Sequence, residues 1–333
     1  MKVLILQSES MSPTIKTSDL VKRYEVLHKY PNIEYTVLIK DAFMTFNDYD
    51  KILDDYDALI GMWITSDVLV EDLFISHPRL KYIATTSHGF EEFDKEMTKR
   101  YGVTITNTIY GNTTIAQYAM ALLMEICHHV ELQSQYIKST YFQNENNPFM
   151  KALYRHIEIT DKTVGIIGLG SIGYNFAKIV NGFGCKIIGY DLIRKEGDKY
   201  NFIEQLSLDE VLSNSDIISL HCPLTKETQE IINKENINKM KEGVILINTA
   251  RGKLIDEDAL LDALNSGKIY SAGLDVLVDE NPKQPTLLIK HPNVIVTGHV
   301  AWLADEARYR TIDLACENFI NYIEGHPTSV VNK

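Results

Sequence analysis

His299 lies where the apolar run VIVTG (294–298) gives way to a helix-like pattern, in the stretch VIVTGHVAWLADEARYR. An imidazole at such a seam can give or take a proton near neutral pH. Arg251 stands in NTARG (248–252), directly after the run GVILI. Its planar fork suits a carboxylate and can polarise a neighbouring carbonyl oxygen. The stretch SAGLDVLVDENP (271–282) supplies two carboxylates, Asp275 and Glu280. A carboxylate beside an imidazole orients the ring and favours its protonated form. An acid, an anion receptor and an orienting carboxylate are thus present, and a redox reaction would need only a hydride carrier.

The pattern Gly168-Leu169-Gly170-Ser171-Ile172-Gly173 follows the apolar TVGIIG and precedes the helix-like FAKIVNGFG. In such a turn the first glycine permits a tight bend, the second lets backbone approach a pyrophosphate and the third lets helix and sheet pack closely. Helix-terminal amides then meet the phosphates. Asp191 comes 18 residues after Gly173, immediately past KIIGY. A carboxylate there accepts ribose hydroxyls and repels a 2′-phosphate, so the expected cofactor is NAD(H). His221, Cys222 and Pro223 form another strand exit. Cys222 has no base beside it in the sequence and reads as a small wall residue near the cofactor. With hydride delivered to the carbonyl carbon of a 2-oxo acid, His299 would protonate the developing alkoxide, and oxidation would run the same steps backward.

These residues need a scaffold that gathers strand ends. Short apolar runs at Val3–Leu6, Tyr35–Ile39, Ala58–Gly61 and Tyr82–Thr85 alternate with polar segments long enough for crossover helices. That is the pattern of βα units in a mostly parallel sheet. From Ile115 the stretch IAQYAMALLMEICHHVELQ keeps helical spacing for about five turns and predicts one long helix, followed by a connection near Ser139 to Met150. Six further strand candidates follow: TVGIIG, KIIGY, DIISLHCPL, GVILINTARG, SAGLDVL and NVIVTGHVAW. They are separated by helical segments and predict a doubly wound sheet. The final amphipathic stretch, TIDLACENFINYIEG, is free to close the second sheet or return to the first.

A chain of 333 residues exceeds one ordinary core, so two α/β domains are expected. A formal net charge of −12 argues against nucleic acid or an anionic membrane as partner. A small anion answering to one arginine remains compatible with that charge. The four cysteines, Cys127, Cys185, Cys222 and Cys316, show neither metal-knuckle spacing nor a disulfide framework, so no metal site is expected and a cytoplasmic setting fits. The apolar start MKVLIL is too short for a signal-peptide core, and no segment offers 18 uncharged apolar residues for a membrane span.

Taken in order, the glycine fingerprint with Asp191, HCPLT (221–225), NTARG, GLDVL (273–277) and GHVAW (298–302) resemble the D-isomer-specific 2-hydroxyacid dehydrogenase family. The resemblance spans most of the chain. It implies a Rossmann-type doubly wound cofactor domain at 102–302 and a smaller flavodoxin-like α/β substrate domain at 1–101 and 303–333, with a cleft between them. It also implies that Arg251 binds and polarises substrate, that Glu280 pairs with His299, and that His299 is the acid/base. Asp275 resembles the position that contacts the nicotinamide carboxamide. Gly168, Gly170, Ser171, Ile172, Gly173, Asp191, His221, Cys222, Pro223, Thr249, Ala250, Arg251, Asp275 and His299 make up the implied NAD(H) site. TTSHGFEEFD (85–94) resembles the family's glycine loop that receives the substrate carboxylate, so His88, Gly89 and Phe90 join Arg251 and Trp302 as implied substrate contacts. A homodimer is the family-based expectation.

Within the family, the segment ITNTIYGNTTIAQYAMALLMEICHHV together with His299–Trp302 is most similar to glycerate dehydrogenases, also called hydroxypyruvate reductases. The chain departs from that subgroup in three places. STYFQNENNPFM stands where tryptophans are usual, Ile109-Tyr110 replaces a proline-containing start, and Gly298 replaces the proline before the histidine. Hydroxypyruvate, glyoxylate, pyruvate and larger 2-oxo acids therefore all stay open as substrates. Two further readings stand beside the enzyme: an NAD(H)-sensing corepressor-like protein and a dehydrogenase of another small anion.

Overall fold

The computed structural model describes residues 1–40, 44–62, 64–87, 89, 93–140 and 152–332. The chain divides into two compact units, residues 1–111 with 303–333 and residues 112–302.

The first unit is built on a five-stranded parallel sheet of β1 (Lys2–Gln7), β2 (Glu34–Ile39), β3 (Ala58–Gly61), β4 (Tyr82–Thr85) and β5 (Thr104–Thr106), in the order β2-β1-β3-β4-β5. Central strands of a parallel sheet are covered on both faces, which is why VLIL reads as a continuous apolar run. Val3 and Ile5 point into one core layer with Leu20, Tyr24, Ile60 and Tyr82, whereas Leu4 and Leu6 point into the other with Leu59, Leu73, Phe74 and Ile83. The first layer is closed by the helix Asp305–Ile323, which contributes Ile312, Ala315, Cys316 and Phe319. The final amphipathic stretch therefore returns to the first sheet. The expected division after residue 101 shifts to residue 111, because Thr104–Thr106 pairs with β4. A strand of three residues inside ITNT offers too little periodicity to be read from sequence.

The second unit carries a seven-stranded parallel sheet of β6 (Thr163–Ile167), β7 (Lys186–Tyr190), β8 (Glu204–Gln205), β9 (Ile217–Leu220), β10 (Val244–Asn248), β11 (Ile269–Leu274) and β12 (Val294–Val296). Its order is β12-β11-β10-β9-β6-β7-β8. The chain winds outward through β7 and β8, then returns to place β9 against β6, so the strand order reverses between those two. In open α/β sheets ligands bind at the carboxyl ends of the strands beside such a reversal. Each central strand again serves two layers: Val244 and Leu246 face one core, Ile245 and Ile247 the other. The second layer is completed by the helices Asn112–His128 and Ser171–Gly182.

The expected single long helix is two. Asn112–His128 and Val130–Thr140 are separated by His129, which has a φ of 50° and whose ring lies tilted against Tyr154, 4.8 Å between centroids. Residues 141–150 of the expected connection lie outside the described residues.

Candidate active site

Every residue singled out for chemistry in the second unit, Glu280 and Trp302 apart, lies at or shortly past the carboxyl end of a strand, or on the helix that follows it. Gly168 follows β6, Asp191 follows β7, His221 follows β9, Arg251 follows β10, Asp275 follows β11 and His299 follows β12. Because all seven strands are parallel, these ends share one edge of the sheet.

At the reversal between β6 and β9, Gly168 has a φ of +98°, and a side chain there would meet the backbone nitrogen of Cys222 at 2.4 Å. Only glycine lets the turn pass this close to the His221–Cys222 backbone. Gly173 is equally constrained, since an added Cβ would lie 2.0 Å from the carbonyl oxygen of Gly168. At Gly170 nothing lies within 4 Å. That space is open to a ligand approaching the backbone. Gly170 also caps the helix Ser171–Gly182, whose first turn has neither a side-chain cap nor an acidic residue. The amides of Ser171, Ile172 and Gly173 therefore present unsatisfied donors at the positive end of a helix. This is the cradle a pyrophosphate requires.

Asp191 accepts from the Leu169 amide at 2.8 Å through Oδ2 and from the Ile193 amide at 3.1 Å through Oδ1, and it pairs with Lys195 at 3.1 Å. The acid is thereby fixed to the glycine turn. A carboxylate has about four acceptor positions, so one remains for a ribose hydroxyl. Leu192 and Ile193, 71% and 70% exposed, offer apolar surface beside it.

His221 turns its side chain toward the core. Its ring packs on Phe176 at 5.0 Å and its Nε2 lies 2.9 Å from Ser219 Oγ, with Nδ1 buried and unpaired. Burial pushes its pKa down to about 3. The side chain belongs to the core, and only the backbone borders the glycine turn. Burial likewise pushes the Cys222 thiol up to about 12, so it is a wall and no nucleophile. Pro223 is exposed at the strand exit.

Asn248, fully buried, organises the loop that carries Arg251. Its side chain accepts from the Ala250 amide at 2.9 Å and donates to the Arg251 carbonyl at 2.8 Å. Arg251 Nη1 donates to the Ala250 carbonyl at 2.8 Å. Gly252 packs against the Leu277 backbone so closely that a Cβ would fall 2.0 Å from it. Thr249, the first residue past β10, keeps a buried hydroxyl oxygen without a partner among the described residues. An orphaned donor there fits a polar ligand group.

The main-chain ladder continues past the strand ends. Asp275 donates its amide to the Asn248 carbonyl at 2.9 Å, and His299 donates its amide to the Asp275 carbonyl at 2.7 Å. The Asp275 carboxylate accepts from the Thr297 hydroxyl at 2.6 Å and from the amides of Val300 at 3.0 Å and Ala301 at 2.9 Å. His299 Nδ1 lies 3.0 Å from Glu280 Oε2, with side chains 41% and 48% exposed. The Trp302 indole donates to the His299 carbonyl at 2.7 Å. The structure therefore brings His299, Glu280, Asp275 and Trp302 together. Gly89 lies in the first unit, its carbonyl accepting from Ser87 Oγ at 3.1 Å, whereas His88 and Phe90 fall outside the described residues. Among the described residues no group of three or more histidine, cysteine or acidic side chains could hold a metal ion, and no helix is long and apolar enough to cross a membrane.

Two residues that hold this site were not singled out from sequence, Asn248 and Thr297. An asparagine at a strand end before a tight turn is a readable signal, because its side chain mimics a backbone turn. Thr297 gives no comparable signal.

The model of the D-isomer specific 2-hydroxyacid dehydrogenase NAD binding domain matches residues 120–301, more than half of the chain. A hydroxypyruvate reductase of Blautia hydrogenotrophica is 40% identical, over 86% of this chain and 91% of the relative. A glycerate dehydrogenase of Methylorubrum extorquens is 32% identical, over 99% and 98%. Among solved structures, the D-lactate dehydrogenase from Aquifex aeolicus complexed with NAD and lactic acid superposes with a TM-score of 0.75 at 30% identity, covering 97% of this chain and 96% of that one. The chain belongs to the D-isomer specific 2-hydroxyacid dehydrogenases, NAD-dependent oxidoreductases that interconvert 2-hydroxy and 2-oxo acids.

Proposed function

We propose that the enzyme reduces a short 2-oxo acid of the hydroxypyruvate or glyoxylate type, with Arg251 as anion receptor and His299 as proton donor. The observation that carries this reading is the 3.0 Å contact between His299 Nδ1 and Glu280 Oε2 on the strand edge that also presents Arg251. With Nδ1 engaged, Nε2 is the nitrogen left to meet substrate. Bound NADH supplies the hydride.

Arg251 then holds the substrate carboxylate and polarises the carbonyl, while its backbone is fixed by Asn248. His299 delivers its proton to the oxygen on which negative charge develops, and Glu280 compensates the imidazolium before transfer. In the oxidative direction the same nitrogen takes the hydroxyl proton. The substrate range is proposed from the relatives named hydroxypyruvate reductase, glyoxylate reductase and glycerate dehydrogenase. The test is NADH oxidation at 340 nm, a wavelength set by the reduced nicotinamide, against hydroxypyruvate, glyoxylate, pyruvate and branched 2-oxo acids, with NADPH alongside. Turnover highest with the first two supports the assignment, and activity confined to branched acids overturns it.

The same reading includes a homodimer and a cytoplasmic location. The helix Val130–Thr140 buries none of its residues within the chain and leaves Val130 and Leu132 exposed, which supports a self-association surface. A monomer by light scattering would remove it. Four buried unpaired thiols support a reducing compartment, to be checked by cell fractionation.

A further inference from the structure

We propose that Asp275 is a positioning residue for His299, its carboxylate and carbonyl holding the 297–301 turn in the one backbone conformation that presents the imidazole to Glu280. The inference rests on the reading of His299 as proton donor.

His299 has a φ of 56°, in the left-handed region. That region is disfavoured for any residue bearing a Cβ, so surrounding contacts must over-determine it. Nearly all of those contacts come from Asp275, the first residue past β11 and only 1% exposed. Its carbonyl takes the His299 amide, its Oδ1 takes the Thr297 hydroxyl and the Val300 amide, and its Oδ2 takes the Ala301 amide. Donors thus converge on Asp275 from both sides of His299. On the far side the Trp302 indole holds the His299 carbonyl.

Among the described residues the partners of the Asp275 side chain are three donors of the turn itself, the Thr297 hydroxyl and the amides of Val300 and Ala301. Hydrogen bonds to an ionised acceptor are the strong ones. Both carboxylate oxygens are engaged, and an amide would turn an N–H toward one of these donors. A carboxylate is therefore required for a reason internal to the chain, separate from any contact with the nicotinamide carboxamide. Without it the turn relaxes toward negative φ and the imidazole leaves Glu280.

The experiment compares wild type with Asp275→Asn, Thr297→Val and Thr297→Ser in the reduction of hydroxypyruvate. Each is assayed with NADH and with reduced 3-acetylpyridine adenine dinucleotide, whose acetyl group lacks the carboxamide N–H. For Asp275→Asn, kcat is expected to fall roughly 100-fold, the scale of an ångström-sized misplacement. The KM for the 2-oxo acid stays unchanged, and the fold-loss is the same with both dinucleotides. Thr297→Val loses a smaller factor, which Thr297→Ser restores. A loss seen with NADH and absent with the analogue would show that Asp275 acts through the carboxamide and overturn the proposal. If Asp275→Asn does not fold by circular dichroism, Thr297→Val decides, and an unchanged kcat in that folded variant overturns it. Wild-type turnover in the same assay separates the two readings: absent turnover removes His299 as proton donor and this inference with it, whereas wild-type turnover with an undiminished variant removes this inference alone.

Discussion

Nδ1 of His299 and Oε2 of Glu280 lie 3.0 Å apart, although 19 positions separate them in the chain and both side chains are reached by solvent. An exposed ion pair contributes little to stability. Its value lies in fixing which imidazole nitrogen faces the substrate. Glu280→Gln is therefore expected to leave the unfolding midpoint unchanged and lower kcat roughly 10- to 100-fold, at the lower end of what a positioned acid contributes. Steady-state kinetics beside thermal unfolding checks both halves, and an undiminished kcat would detach Glu280 from the reaction.

Asn248 holds the Arg251 carbonyl and the Ala250 amide, and removal of the Arg251 side chain leaves both of those contacts in place. Arg251→Ala is expected to cost about 3 to 4 kcal/mol of transition-state stabilisation, the scale of losing one strong donor to a developing oxyanion. Arg251→Lys restores the charge but not the two-pronged geometry, and recovers only part of kcat/KM. NADH affinity should be retained in both. Full activity in the alanine variant would place the anion receptor elsewhere.

The chemistry was legible in the sequence where a residue type is demanded by a backbone event. Gly168 and Gly173 are such cases, because no other residue survives contacts of 2.4 and 2.0 Å. The strands were legible where both faces are buried, as in β1, β3 and β10, since the apolar run is then unbroken. The two-residue β8 and three-residue β5 were not, for they are too short to show a period. His221 marks another limit. A strand-exit histidine looks the same in sequence whether its ring faces ligand or core, and only the packing against Phe176 decides it. The donors that Asp275 gathers were not legible either, because they come from residues 22 to 26 positions further on.

Gly170 separates cofactor binding from folding. Beyond its own chain neighbours, an added Cβ meets no atom of the described residues within 4 Å, so Gly170→Ala should fold and melt like wild type. The methyl group would nevertheless occupy the space through which a pyrophosphate reaches the helix amides. NADH binding is expected to weaken at least about tenfold, about 1.4 kcal/mol. Fluorescence titration reads this directly, and wild-type affinity in the alanine variant would move the pyrophosphate site away from the glycine turn.

His221 makes stability depend on pH. Burial holds its pKa at about 3, against an ordinary value of 6.5 in the unfolded chain. Between those values the unfolded state binds a proton that the folded state refuses, so stability rises with pH and is lost as pH falls. The contribution is complete above about pH 6.5 and erodes with acidification toward pH 3. His221→Gln removes the titrating group while keeping a polar neighbour for Ser219. Urea unfolding at pH 7, 6 and 5 should give wild type a steeper loss of stability on acidification than the variant. Parallel pH profiles would show that the imidazole ring is reached by solvent.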